Sequence, residues 1–182
     1  MEQMNDIAIR RGFTRLGERL AIDHDVEILI VGGAAGLLTG ELPSTMTTMD
    51  AHAIWYCPSK DRDTVLETAA EVARELSLPS DWLNEWSGLY AWSLPDDWEG
   101  RRVLIGKFGH LHVYAASRID LIVMKFIAHR ESDLDHLVSM NVKSDELEFI
   151  QRELDLIAVN FPNESGKIAM AKHYALNWGR QK

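Results

Sequence analysis

The stretch that most limits what this chain can fold into is Val26-Glu27-Ile28-Leu29-Ile30-Val31, followed at once by Gly32-Gly33-Ala34-Ala35-Gly36-Leu37-Leu38. A β-branched, almost wholly apolar run of this length predicts a strand that is largely buried, hence an inner strand of a covered sheet. Gly32-Gly33 ends it, and the following segment predicts a short helix that stops near Gly40. Glycine at such a junction permits positive φ and lets backbone N–H groups approach an anion at the helix start. A tight turn and a phosphate-binding turn both satisfy this pattern, which is neither a Walker loop nor a GxGxxG fingerprint.

Other elements arrange themselves around that strand. Residues 9–23 carry Phe13, Leu16 and Leu20 at helical spacing. Residues 48–57 alternate and then turn apolar, as a second strand does. Residues 61–76 place Val65, Leu66, Ala69, Val72 and Leu76 on one helical face. Residues 78–98 hold Trp82, Trp86, Tyr90, Trp92 and Trp98 without a period, and predict short helical turns and loops. Strands follow at 102–105 and 111–114 with a turn at Gly109-His110, then helices at 117–129, 132–140, 144–161 and 164–178. Ser117, Ser132 and Ser144 are the expected N-caps. The order predicts an α/β (α+β) fold, a small mixed β-sheet with flanking helices and a helical C-terminal part. A single domain spanning residues 1–182 is expected, with a core at about 1–116 and the helical part at 117–182.

Composition narrows the function classes. At 182 residues, 46% hydrophobic and 26% charged, the chain has ordinary globular proportions. A formal net charge of -9 and a pI near 5.2 argue against sequence-blind nucleic-acid binding, although a local basic groove is compatible with both. The single cysteine, Cys57, allows neither an internal disulfide nor a cysteine zinc site, and its apolar neighbours predict a buried structural thiol. No basic-then-apolar leader is visible, and no apolar run approaches the roughly 20 residues of a membrane span, so a cytoplasmic protein is expected.

Four segments could carry chemistry beside the glycine pair. Strand alternation would put Thr48, Asp50 and His52 on one face, where Asp50 and His52 could share a divalent ion. Mg²⁺ prefers oxygen donors, so an aspartate–histidine pair suits Mn²⁺ or Zn²⁺ better; solvated polar residues at a strand end are the alternative. Asp81 and Asn84 read as a capping pair around Trp82. Lys125 and His129 stand four apart on one helix, and Arg130 precedes Asp133 and Asp135, an arrangement that pins a helix–helix corner by an Arg130–Asp133 or Arg130–Asp135 pair. His110 and His112 could be ligands, but cross-strand packing is the simpler reading.

In order along the chain, these segments resemble the DNA polymerase β-type nucleotidyltransferase fold, and within it bacterial proteins akin to AbiE-type abortive-infection toxins. There a strand ends in Gly-Gly, a later strand carries Arg-x-Thr-x-Asp-x-Asp, and a later helix carries Lys followed by Arg-x-x-Asp-x-Asp. Gly32-Gly33, Thr48-x-Asp50-x-His52, and Lys125 with Arg130-x-x-Asp133-x-Asp135 match in turn. Asp81-Trp82-Leu83-Asn84 and Phe108-Gly109-x-Leu111-x-Val113 resemble a branch of the same proteins. The resemblance implies metal-dependent nucleotidyl transfer from an NTP to an acceptor such as RNA, with a toxin-like role. It implies that Gly32, Gly33, Thr48, Lys125 and Arg130 bind the nucleotide and that Asp50 and His52 hold Mg²⁺ or Mn²⁺. It further implies that Asp50, His52, Lys125 and Asp135 (or Asp133) carry the chemistry.

The departures point toward an alternative. Met46 stands where the resemblance expects arginine, and His52 where it expects the second carboxylate. The third carboxylate belongs on a later central strand, and neither 102–105 nor 111–114 offers one. Two-metal transfer needs clustered carboxylates, so a catalytically degenerate protein that binds a nucleotide or partner is the second expectation. A third is a protein-interaction module or homodimer, using the six tryptophans and the stripe Ile168, Ala171, Ala175 and Trp178.

Overall fold

The structure, a computed structural model that describes residues 3–178, puts Val26–Val31 (β1) at the centre of a five-stranded sheet. Ala51–Cys57 (β2) pairs antiparallel with β1 on one side, and Leu111–Ala115 (β5) runs parallel to it on the other. Leu83–Asn84 (β3) lies parallel beyond β2, and Val103–Phe108 (β4) antiparallel beyond β5, giving the order β3-β2-β1-β5-β4. The sheet is mixed, as expected, and β4 and β5 form the expected hairpin, with Gly109 at φ 59 in its turn.

Asp6–Arg19 (α1) starts where Asn5 accepts a hydrogen bond from the Ala8 backbone N–H at 2.9 Å, and it buries Ile9, Phe13 and Leu16. Phe13 meets Trp82 edge-on at 5.2 Å and stacks near Phe108. A Cβ built at Gly17 would lie 2.0 Å from the Phe108 carbonyl oxygen, so glycine is what lets α1 lie directly on the end of β4. Arg62–Leu76 (α3) packs beside α1, and Arg15 and Arg19 both bind Glu75 across that seam. Trp82, fully buried, donates its indole N–H to the Ala69 carbonyl at 2.9 Å.

Several sequence expectations shift here. Gly32–Thr39 (α2) begins at the first glycine rather than after the pair, because Gly32 itself takes φ 74 and turns strand into helix without a loop. The second strand starts at Ala51, not Thr48: Thr48 instead exchanges two backbone hydrogen bonds with Met4, at 2.7 and 2.9 Å. Cys57 is exposed rather than buried, since it sits opposite Glu27 on the outer face at the end of β2. The 78–98 stretch contains the two-residue β3 and a 3-10 helix, Trp86–Ser93, before a short helix, Trp98–Arg101 (α4).

These elements, as far as Gly88 and again from Arg101 to Ala116, form one compact unit; residues from Leu89 to Gly100 and from Ser117 onward form a second. The second unit contains Arg118–Ala128 (α5), Glu131–Ser139 (α6), Ser144–Asn160 (α7) and Ser165–Asn177 (α8). Ser117 caps α5 as expected. Ser132 and Ser144 lie inside α6 and α7, whose caps are Arg130 and Lys143. The Glu146 carboxylate explains the latter start: it accepts from the Lys143 backbone N–H at 2.8 Å and from Arg118 Nε at 2.6 Å. Ile168, Ala171 and Ala175 are buried, and Trp178 meets Phe126 edge-on at 5.3 Å, so this stripe is core within its own unit. Among the described residues no helix is long and apolar enough to cross a membrane.

Candidate functional site

The end of β1 and the start of β2 bring the glycine turn to the aspartate–histidine pair. Val31 faces His52 in the β1–β2 register, and a Cβ built at Gly32 would lie 3.4 Å from His52 Cδ2. Asp50 lies between the bend at Met49 and the start of β2. It does not share a strand with Thr48, whose hydroxyl instead donates to the Asp50 carbonyl at 3.0 Å. Gly32, Thr48, Asp50 and His52 are therefore gathered in the first unit, Gly32 through the His52 ring and Thr48 through the Asp50 backbone.

The residue that organises this cluster is Asn84, which sequence reasoning placed in a cap. In the β2–β3 register it stands opposite His52. Its Oδ1 accepts from the Trp86 backbone N–H at 2.9 Å and from His52 Nδ1 at 2.8 Å. Its Nδ2 donates to Asp50 Oδ2 and to the Asp81 carbonyl, both at 2.9 Å. A backbone N–H can only donate and a backbone carbonyl can only accept, so Trp86 and Asp81 between them fix the amide orientation. His52 Nδ1 must then carry a proton, and the tautomer is set.

A chemical consequence follows at the other ring nitrogen. In the neutral ring, His52 Nε2 presents a lone pair toward Asp50 Oδ1, 3.4 Å away. Two acceptors facing each other call for a cation between them, either a proton on the ring or a metal ion. An aspartate oxygen and an imidazole nitrogen are donor types that Mn²⁺ or Zn²⁺ accepts. The donor set does not fit a pair of Mg²⁺ ions, which want several carboxylate oxygens. Among the described residues no group of three His, Cys, Asp or Glu could hold a metal, so such an ion would complete its shell with phosphate or water oxygens.

Lys125, Arg130 and Asp133 come together in the second unit, and His136 joins them. Lys125 Nζ lies 3.3 Å from Asp133 Oδ1 and 2.7 Å from His136 Nδ1, with the lysine 3% and the aspartate 2% exposed. Arg130 Nε donates to Asp133 Oδ2 at 2.8 Å, which makes Asp133 rather than Asp135 the partner at this corner. Burial, then the Lys125 charge, push the His136 imidazole down to about 4, so at neutral pH its Nδ1 is an acceptor for the ammonium. Burial also lowers the Lys125 ammonium against the pull of Asp133. Burial opposes ionisation of Asp133, but the Arg130 hydrogen bond and the charge of Lys125 outweigh it and hold the carboxyl below its usual range. His129, expected beside Lys125, is instead the left-handed C-cap of α5, with its ring on Tyr174 at 3.7 Å. Asp135 is exposed on α6.

His110, in the expected hairpin turn, and His112 both turn to Asp25, at 3.0 and 3.6 Å. This is packing at the outer end of β1, as the simpler reading had it.

The model of the family described as nucleotidyltransferase of unknown function (DUF6036) matches residues 13–160. No curated protein and no solved structure matches the chain. With the match running from α1 through α7 and taking in every residue of both clusters, the chain belongs to this nucleotidyltransferase family of unknown function.

Proposed function

We propose that this protein binds a nucleoside triphosphate at the Gly32–Gly33 turn with one divalent cation on Asp50 and His52, and that its nucleotidyl transfer runs on that single ion. The observation that carries this reading is the facing pair of His52 Nε2 and Asp50 Oδ1, held ready by Asn84 and set against Gly32. Gly32, at positive φ, brings the start of α2 close against the His52 ring, and backbone N–H groups and the helix dipole at such a start favour phosphate. A cation there would neutralise phosphate charge as the leaving group departs. Asp50 and His52 supply its protein ligands, and Asn84 keeps both aimed. Within the second unit, Arg130 and Asp135 are the exposed members of its cluster, and Arg130 carries the charge a polyanion would meet there. Lys125 positions Arg130 through Asp133.

The missing carboxylates and Met46 favour a second reading, a descendant that binds nucleotide without turnover. Titration calorimetry with each NTP, in Mg²⁺ and then Mn²⁺, with Asp50→Ala alongside, tests the site. Binding is expected in Mn²⁺ and lost in Asp50→Ala; heat that is indifferent to metal and to Asp50 refutes it. Transfer of an α-phosphate label to RNA or protein then separates the catalytic reading from the silent one. Growth arrest on induction that depends on Asp50 would add the AbiE-type, toxin-like role.

A further inference from the structure

Three consecutive side chains leave the end of β3 in three different circumstances. Asn84 uses all four of its hydrogen-bonding positions inside the site. Glu85 is held by Arg62 at the start of α3, with Nε to Oε1 at 2.6 Å. Trp86 gives the site its backbone N–H, and the residue is 66% exposed with no ring or cation stacked on it among the described residues. An indole brings 150–250 Å² of largely apolar surface and is usually mostly buried. This one is left in water on a backbone anchored by its N–H to Asn84.

We propose, resting on the nucleotide reading above, that Trp86 is the base-binding residue, stacking the nucleobase of the triphosphate whose phosphates lie at Gly32, Asp50 and His52. The indole offers phosphate no charge, but it offers any base a flat face, and stacking of that kind tolerates base identity. The Trp86 N–H that orders Asn84, and through it His52, belongs to the residue whose ring would receive the base. Phosphate seat and base platform are thereby fixed by one hydrogen-bonded chain. Met49, also exposed and next to Asp50, gives the site a second apolar edge. Stacking area favours a purine over a pyrimidine.

The test compares ATP with inorganic tripolyphosphate, each titrated with Mn²⁺ into wild type, Trp86→Ala and Trp86→Phe. Wild type is expected to bind ATP more tightly than tripolyphosphate. Trp86→Ala should lose about tenfold in ATP affinity with tripolyphosphate unchanged, and Trp86→Phe should recover most of the loss. If Trp86→Ala leaves ATP binding intact, or weakens both ligands equally, the stacking role is overturned while the phosphate site stands. If wild type binds neither ligand, the nucleotide reading beneath it falls instead.

Discussion

Replacing Asp133 by alanine should cost far more stability than replacing its partner Lys125 by methionine, although both residues are buried members of one ion pair. Asp133 accepts from Lys125 Nζ at 3.3 Å, from Arg130 Nε at 2.8 Å and from the Arg130 backbone N–H at 3.3 Å. Asp133→Ala strands the ammonium, 3% exposed, with His136 Nδ1 as its remaining partner among the described residues. An uncompensated buried charge costs about 3–5 kcal/mol. Lys125 sheds its proton more easily than usual, which relieves part of that and points to the lower figure. At about 2–4 °C per kcal/mol for a chain of this size, the expected fall in Tm is about 6–12 °C. Lys125→Met keeps the packed stem and removes the charge, while Asp133 retains Arg130; the expected loss is about 1 kcal/mol. Urea unfolding at pH 7 followed by circular dichroism measures both. The Asp133 carboxyl sits below its usual range, so its contribution is present above the unfolded value near 3.9 and fades as pH falls through the folded one. The gap between wild type and Asp133→Ala should therefore close in acid. Equal losses in the two variants, or a larger one for Lys125→Met, would refute the view that the carboxylate is the hub.

Two further outcomes follow from the first unit. Gly17→Ala should destabilise by several kcal/mol, on the order of an overpacked core, because its Cβ would meet the Phe108 carbonyl at 2.0 Å; a Tm within a degree of wild type would show that α1 is free to lift from β4. The His24 imidazole is raised first by Asp23 and then by Asp61, so its stabilising contribution is full below the unfolded value of about 6.5 and lost as pH rises through the folded one. The Tm difference between wild type and His24→Ala should shrink from about pH 6 to pH 8; a difference that is flat or widens contradicts the pairing.

Much of the scaffold was legible because it rests on local signals. The β-branched run of β1, the hairpin turn at Gly109, and the apolar faces of α1, α3 and the C-terminal helices all carry their period or punctuation in sequence. What failed depended on partners distant in sequence. Thr48 is drawn off the strand by Met4. Glu146 stabilises the start of α7 by reaching back to the Lys143 N–H and across to Arg118, which no local serine rule anticipates. Cys57 has apolar neighbours, yet pairing with Glu27 puts it on the outer face.

Asn84 is the instructive case, because the resemblance points for a carboxylate to the later strands at 102–105 and 111–114. β3 is two residues long and shows no alternation, so only its pairing with β2 makes Asn84 the neighbour of His52. Seen there, asparagine and histidine are more than eroded carboxylates. Aspartate at this position would set a second negative charge 2.9 Å from Asp50 Oδ2 and would have no N–H to offer it or the Asp81 carbonyl. That arrangement is stable only with enough cations to offset it. Asn84 supplies those donors without charge, and its other face dictates the His52 tautomer. Asp50, His52 and Asn84 thus form a closed set carrying one negative charge when the imidazole is neutral. The single facing pair of acceptors left over is Nε2 and Oδ1.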